Sequence, residues 1–416
     1  QNMKCRHCGN PLSLPFLELG SAPPSNAYLT PATYCAPETW FPLKLLVCEA
    51  CWLVQTEDYA GREALFTDDY AYFSSFSSTW LNHAENYVKT MIQRFSLNEK
   101  SCVVEVAAND GYLLQYVKAA AIPCYGIEPT QSTAVAAKAK GVEILERFFG
   151  VELGIELGNA GRSADLMVAN NVLAHVPDIN DFLAGFSHVL KPQGVVTFEF
   201  PHLLNMVRYN QFDTAYHEHY SYLSLHTVQR ICAANGLQVF DVTEISTHGG
   251  SLRVFAQRSD TGKNLLTAQL QTILQIESDA GVTSSQFYQG FQAKAESIKN
   301  ELISFLIHTQ KSGLKVAAYG AAAKGNTLLN FAGIKSDLLP YVVDKNPAKQ
   351  GKYLPGSRIP IVSEDHLVHE HPDYILILPW NPKTEVLAQL SYAGQWGARF
   401  VTAIPEFEIM TTNPQT

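Results

Sequence analysis

From residue 101 onward, apolar side chains recur with two alternating periods. Unbroken apolar runs of strand length, SCVVEVAANDG, CYGIEP, ADLMVANNVL and GVVTFEFP, suit strands buried on both faces. Between them, YLLQYVKAA, TAVAAKAKG and DINDFLAGFSHVLK place apolar residues three and four apart, the spacing of a helix packed on a sheet. This alternation predicts βαβ units, hence a parallel sheet with helices on both faces. A further helical pattern occupies about 80–95, and 262–311 is mostly helical in period with no proline, which predicts linking helices. At LKVAAYGAAAKGNTLLNFAG a fresh strand–turn–helix begins, followed by LPYVVDKNP and YILILPW, a second and smaller α/β unit. The chain therefore reads as α/β in class. An N-terminal module occupies 1–65, a central domain 66–260, a helical linker 261–311 and a C-terminal α/β domain 312–416.

The first 65 residues have a different texture. Pro11, Pro15, Pro23, Pro24, Pro31, Pro37 and Pro42 make this segment too rich in turns to fold on a small apolar core alone. Four of the eight cysteines fall here as two C-x-x-C knuckles, Cys5/Cys8 and Cys48/Cys51. Paired knuckles supply four thiolates for one tetrahedral zinc, and four cysteines leave no open position, so the expected zinc is structural. Two redox C-x-x-C pairs are the competing reading. His7, inside the first knuckle, is a further possible ligand.

The bulk numbers exclude some functions. With 416 residues, two or three domains are expected. A net charge of −9 argues against a nucleic-acid partner, whose recognition begins with a basic face. No apolar run approaches the roughly 20 residues needed to cross a bilayer, so no membrane association is expected. The opening residues carry no signal-peptide pattern, and a cytoplasmic monomer is expected.

In VVEVAANDGYLL a carboxylate, Glu105, lies inside the strand. Ala107 is the small residue of the turn, Asn109 and Asp110 follow, and Gly111 precedes the helix. The G-x-G-x-x-G of a dinucleotide pyrophosphate site is missing. About twenty residues on, Glu128 ends the second strand, where an acid can accept both ribose hydroxyls. Together these form the pattern for S-adenosylmethionine, a nucleoside with an amino-acid tail. Asn170 and Asn171 end the third strand region and His175 follows, at the sheet edge where such folds carry chemistry.

The run AYHEHYSYLS, 215–224, concentrates groups that hold or move protons: Tyr216, His217, Glu218, His219 and Tyr220. Taken in order, the cysteine knuckles, VVEVAANDGYLL, NNVLAHVPD, FDTAYHEHYSYLS, AYGAAAKGNTLLN, VDKNPAKQGKYLPGSRIPI and ILPWNPK resemble the sugar C-methyltransferases of deoxysugar pathways along almost the whole chain. The resemblance implies a zinc-binding N-terminal domain, a Rossmann-like S-adenosylmethionine domain and a C-terminal domain that helps to hold a nucleotide sugar. It also implies methylation at C3 of a dTDP-linked 4-keto-6-deoxyhexose. It puts the catalytic cluster on Tyr216, Glu218 and His219 with His175, and an aromatic residue on Tyr70, with Tyr72 as competitor.

Carbon–carbon bond formation at C3 needs a base for the C3 proton and a donor for the C4 oxygen. His219 is the expected base, because neutral imidazole is available near pH 7; His175 or a tyrosinate are alternatives. Glu218 is expected to orient the ring or bind substrate, and His175, Tyr216 and Tyr70 are expected donors. In THGGSLRVFA, His248, Ser251 and Arg253 could reach a substrate phosphate, Arg253 being equally suited to a structural ion pair. In YGAAAKGNTLLN the Walker pattern is broken, yet Gly320, Lys324 and Asn326 at the start of a helix suit a diphosphate. An NAD-dependent nucleotide-sugar dehydrogenase or epimerase is the competing function.

Overall fold

The computed structural model describes residues 3–58 and 72–411. Its N-terminal part is an antiparallel sheet of β1 (Leu14–Ala22), β2 (Phe41–Val47) and β3 (Val54–Thr56). Cys48 and Cys51 lie in the turn between β2 and β3, where Trp52 has a positive φ of 63°.

Helix α1 (Ser78–Phe95), capped by the Ser77 side chain on Trp80 N–H, leads into the central domain. Strands β4 (Val103–Val106), β5 (Cys124–Ile127), β6 (Ile144–Leu145), β7 (Ala164–Asn170) and β8 (Leu190–Pro201) follow. They alternate with α2 (Leu114–Ala119), α3 (Gln131–Ala139), α4 (Val151–Asn159) and α5 (Ile179–Val189). The parallel part of the sheet is almost wholly apolar, as burial on both faces demands.

After β8 the chain makes α6 (Leu203–Arg208), β9 (Ser221–Tyr222) and α7 (Leu225–Ala234). It then returns through β10 (Leu237–Ile245) and β11 (Ser251–Arg258). The full order is β10-β11-β8-β7-β4-β5-β6, with β11 antiparallel to both of its neighbours. The strands of 101–201 are parallel throughout, as expected, and β11 is the antiparallel exception. The difference arises at the short turn through Gly249 and Gly250, both at positive φ, which reverses the chain as only a hairpin can. Strand β9 leaves this domain altogether and pairs with β3, completing the N-terminal sheet.

Helices α8 (Ala268–Ala280) and α9 (Phe291–Lys311) are packed, not free-standing. Leu270 and Ile273 of α8 join the core of the central domain, whereas Phe291 of α9 stacks on Phe16 of β1 at 4.7 Å. The C-terminal domain adds β12 (Val316–Tyr319), α10 (Ala323–Ala332), β13 (Val342–Val343), β14 (Ile361–Val362), α11 (Asp365–Glu370), β15 (Tyr374–Ile377), α12 (Lys383–Gln389), β16 (Arg399–Thr402) and β17 (Glu408–Thr411). Its order, β14-β13-β12-β15-β16-β17, is the doubly wound one, with β17 antiparallel at the edge. One apolar core runs from the N-terminal sheet through α9 into this domain. Among the described residues no helix is long and apolar enough to cross a membrane.

Candidate active site

The turn after β4 is built for close approach of a ligand to backbone. Ala107, Asn109 and Gly111 all have positive φ, and a Cβ on Gly111 would stand 3.3 Å from the Ala137 Cβ. Glu128, just past β5, accepts the Asn109 N–H at 2.9 Å on one oxygen and the Thr130 N–H at 2.9 Å on the other. Each oxygen keeps a lone pair, the arrangement that receives two ribose hydroxyls. Both atoms of the Asn170 amide are buried without a hydrogen-bond partner at the end of β7. An orphaned amide and a held carboxylate at adjoining strand ends fit a nucleoside that carries polar groups.

Asn109 and the buried Asp110 bind a neighbouring segment. Asn109 Oδ1 accepts the Ser74 N–H, Asp110 Oδ2 accepts the Ser75 N–H, and Asn109 Nδ2 donates to the Tyr72 carbonyl. Glu105 sits under the turn, fully buried, with Oε2 accepting from the Tyr112 hydroxyl. Burial pushes its pKa well above 4.5, and its other oxygen, Oε1, is buried without a hydrogen-bond partner.

The run 215–224 splits between two directions. His217 Nε2 donates to the Phe41 carbonyl of the N-terminal sheet, and Tyr220 lies under the Arg6 guanidinium at 5.3 Å. Tyr216 and His219 face the other way. Their ring centroids are 3.8 Å apart, and His175 meets His219 edge-on at 4.4 Å. The Tyr220 N–H donates to the Ala174 carbonyl at 2.7 Å, which fastens this run to the loop carrying His175. His219 Nδ1 donates to the Thr214 carbonyl at 2.9 Å, so Nε2 is the nitrogen with the lone pair. Burial, then the neighbouring His175, holds its pKa well below 6.5. His175 is lowered by burial to about 4, opposed by its bond to the Glu218 backbone. Burial and the Glu218 charge hold the Tyr216 phenol well above 10, protonated and able to donate.

Further groups come from other elements. His248, at φ 52° in the turn before β11, has a pKa lowered to about 4 by burial and then by the Lys324 charge. Lys324, in the first turn of α10, lies 4.2 Å from the Trp380 ring centroid. The Trp380 indole N–H donates to Asp213 at 2.7 Å. Burial lifts Asp213 to about 7 against the pull of Lys324 and Trp380. Trp80 of α1 packs edge-on to His248 at 5.6 Å and stacks on His83 at 4.9 Å.

Other expected residues lie elsewhere in the wall. Arg253 is buried, donates through Nε to Glu199 at 3.0 Å and lies over the Tyr87 ring, the geometry of the structural ion pair. Ser251 is buried and donates to the Thr247 carbonyl. Asn326 points to the N-terminal module, Nδ2 donating to the Ser25 carbonyl at 2.7 Å. Gly320 sits at φ 99° against Pro379, and Asn171 has a positive φ of 53° past β7. Tyr70 lies outside the described residues; Tyr72 is exposed beside the turn after β4.

Trp80, His83, Glu199, Asp213 and Trp380 went unread in the sequence. Only Glu199 had a signal, an acid inside the apolar run GVVTFEFP that repeats the pattern of Glu105. Burial would raise Glu199, but hydrogen bonds from His83 at 2.7 Å and from Arg253 outweigh it and hold it below 4.5.

The four knuckle sulfurs lie within 4.8 Å of one another, with Cys5–Cys51 at 3.6 Å and Cys8–Cys48 at 3.5 Å. A tetrahedral zinc with Zn–S bonds near 2.3 Å needs sulfurs about 3.8 Å apart, so the set fits. His7 turns away, Nδ1 within 2.7 Å of Asn180 Oδ1.

Three family models match successive parts of the chain. "Putative zinc binding domain" matches 5–66, "Methyltransferase domain" 80–242, and "C-methyltransferase C-terminal domain" 246–405. The C-methyltransferase NovU of Streptomyces niveus is 32% identical over 408 residues, covering 98% of this chain and 97% of that one. Similar solved structures include an S-adenosylmethionine-dependent methyltransferase of Clostridium acetobutylicum, 10% identical with a TM-score of 0.35 over 43% of this chain and 92% of that one. Magnesium protoporphyrin IX methyltransferase of Synechocystis with bound SAH is 14% identical, with a TM-score of 0.34 over 43% and 83%.

Proposed function

The chain belongs to the sugar C-methyltransferase family, and from that premise we propose that it methylates C3 of a dTDP-linked 4-keto-6-deoxyhexose. The cofactor is S-adenosylmethionine, whose sulfonium supplies an electrophilic methyl group when bound, and the four cysteines hold a structural zinc. Glu128 takes the ribose hydroxyls, Asn170 a polar group of the cofactor, and the backbone at Ala107 to Gly111 lines its edge.

The chain's own residues do the proton work. A ketone at C4 makes the C3 hydrogen removable, since the pair left behind spreads onto the C4 oxygen. His219 Nε2 takes that proton; its Nδ1 bond to Thr214 fixes both tautomer and ring direction. Tyr216 and Lys324 donate to the C4 oxygen as its charge develops. With the cofactor bound, the pair on C3 would form the new bond to its methyl carbon as the methyl–sulfur bond breaks and leaves its electrons on the sulfur of S-adenosylhomocysteine, and His219 returns its proton to solvent. Lys324 and the N–H groups opening α10 also face the diphosphate side of the substrate.

The observation that carries this reading is the Tyr216–His219–His175 cluster, with an imidazole whose lone pair is free at neutral pH. In His219→Asn, calorimetry should still register S-adenosylhomocysteine binding while methyl transfer to the keto sugar falls by about 100-fold or more. Retained transfer would remove His219 from the role. Binding of NAD in place of S-adenosylhomocysteine would favour a dehydrogenase.

A further inference from the structure

The segment between β8 and α7 carries Asp213, Tyr216 and His219, and one carboxylate from outside it closes both of its ends. Glu277 of α8 is fully buried. Its Oε2 accepts His202 Nε2 at 2.5 Å, where the segment begins, and the Leu225 N–H at 2.7 Å, where it ends. Its Oε1 accepts the His226 N–H at 3.0 Å and His226 Nδ1 at 2.7 Å. The ends also meet directly, through the Leu203 N–H and the Leu223 carbonyl at 2.9 Å.

Helix α8 gains nothing from this side chain. Glu277 stands in the last turn, where the helix dipole disfavours negative charge, and it is cut off from water. The benefit lies at the start of α7. The Leu225 and His226 N–H groups are the first two of that helix and have no partner within it, while Ser224 Oγ takes the third, from Thr227. Burial would raise the Glu277 pKa, but hydrogen bonds from His202 and His226 hold it at about 2, so it is ionised throughout the neutral range.

We propose that Glu277 is the positioning residue of the proton-transfer segment: it sets where α7 begins and where β8 is left, and so fixes the path on which Tyr216 and His219 reach His175. This rests on the segment's role in the proposed reaction, but the tether can be tested apart from it. Gln in place of Glu277 keeps one acceptor and puts a donor facing donors in place of the other, so it loses either the Oε2 pair, one bond at each end, or the Oε1 pair to His226.

In Glu277→Gln, deuterium uptake by amides of peptides covering 212–222 should rise, with the central strands unchanged. Zinc content and S-adenosylhomocysteine affinity should stay within about twofold of wild type. kcat should fall between about 10- and 100-fold with the cofactor KM unmoved, the cost of misplacing a reacting group by about 1 Å. His202→Gln, which keeps a donor, should retain most turnover, and His202→Leu should behave like Glu277→Gln and serve if that variant fails to fold. Wild-type protection and turnover in Glu277→Gln would overturn the proposal. So would loss of protection spread evenly through the central sheet, which would mark a purely structural role. A wild-type enzyme inactive on every keto sugar would sink the reaction instead and leave the exchange result standing.

Discussion

His219 and His175 are held neutral for the same reason, removal from water. Thr214 takes the Nδ1 N–H of His219, leaving its Nε2 lone pair beside the edge-on contact with His175. The acid limb of kcat/KM should therefore lie below pH 6.5, with activity holding at pH 6; a midpoint at or above 6.5 would contradict this. Stability follows with a defined sign. His175 and His248 have folded values near 4 against about 6.5 unfolded, so the unfolded chain protonates first. The stability they provide is complete above pH 6.5 and is lost as pH falls towards 4. Asp213, raised to about 7, runs the other way: its contribution is fullest below about 3.8 and is lost as pH rises through 7. Between pH 7 and 5, His248→Asn should lose less stability than wild type, by about 2 kcal/mol at most. Equal losses in denaturant melts at the two pH values would refute that assignment.

At the scale of elements, the two α/β domains use one device twice. Glu128 ends a second strand and takes the N–H of Asn109 from the preceding turn and that of Thr130 two residues on. Asp344, after β13, takes those of Ala321 and Asn346 in the same way. The first acid was legible in the sequence because strand, turn, Gly111 and acid follow at fixed spacing. The long periodic segments were legible too, since 101–201 reads as strands and helices from apolar spacing alone. What could not be read depends on tertiary partners. β9 is two residues long and becomes a strand only against β3, and no local pattern distinguishes His217, turned to Phe41, from His219, turned to His175. The Arg253–Glu199 pair was equally hidden, because nothing in the spacing brings a β8 acid to a β11 base. Gly111→Ala tests the cofactor turn. Positive φ and a Cβ contact of 3.3 Å with Ala137 should cost about 1–2 kcal/mol and weaken S-adenosylhomocysteine binding about tenfold in calorimetry; unchanged affinity would deny the turn its part.

At the scale of the whole molecule, all three domains hold the segment that carries Tyr216 and His219. The N-terminal sheet holds it through β9 and the Phe41–His217 bond, and the C-terminal domain through Thr327 on the Ala215 carbonyl and Trp380 on Asp213. The central domain holds it through Ala174 and Tyr220. Thr227 Oγ1 also donates to the Cys51 carbonyl, which joins α7 to a zinc knuckle. Chelation should therefore abolish methyl transfer in step with zinc release and with rising deuterium uptake in β3 and β9. Undiminished turnover after full zinc loss would separate the module from the site. The central claim, that His219 removes the C3 proton, is tested most directly without any methyl transfer. Wild type and His219→Asn are incubated with a dTDP-4-keto-6-deoxyhexose and S-adenosylhomocysteine in deuterium oxide, and label at C3 is followed by mass spectrometry. The account predicts steady C3 labelling by wild type and none above background with His219→Asn; labelling at the wild-type rate by the variant would contradict it.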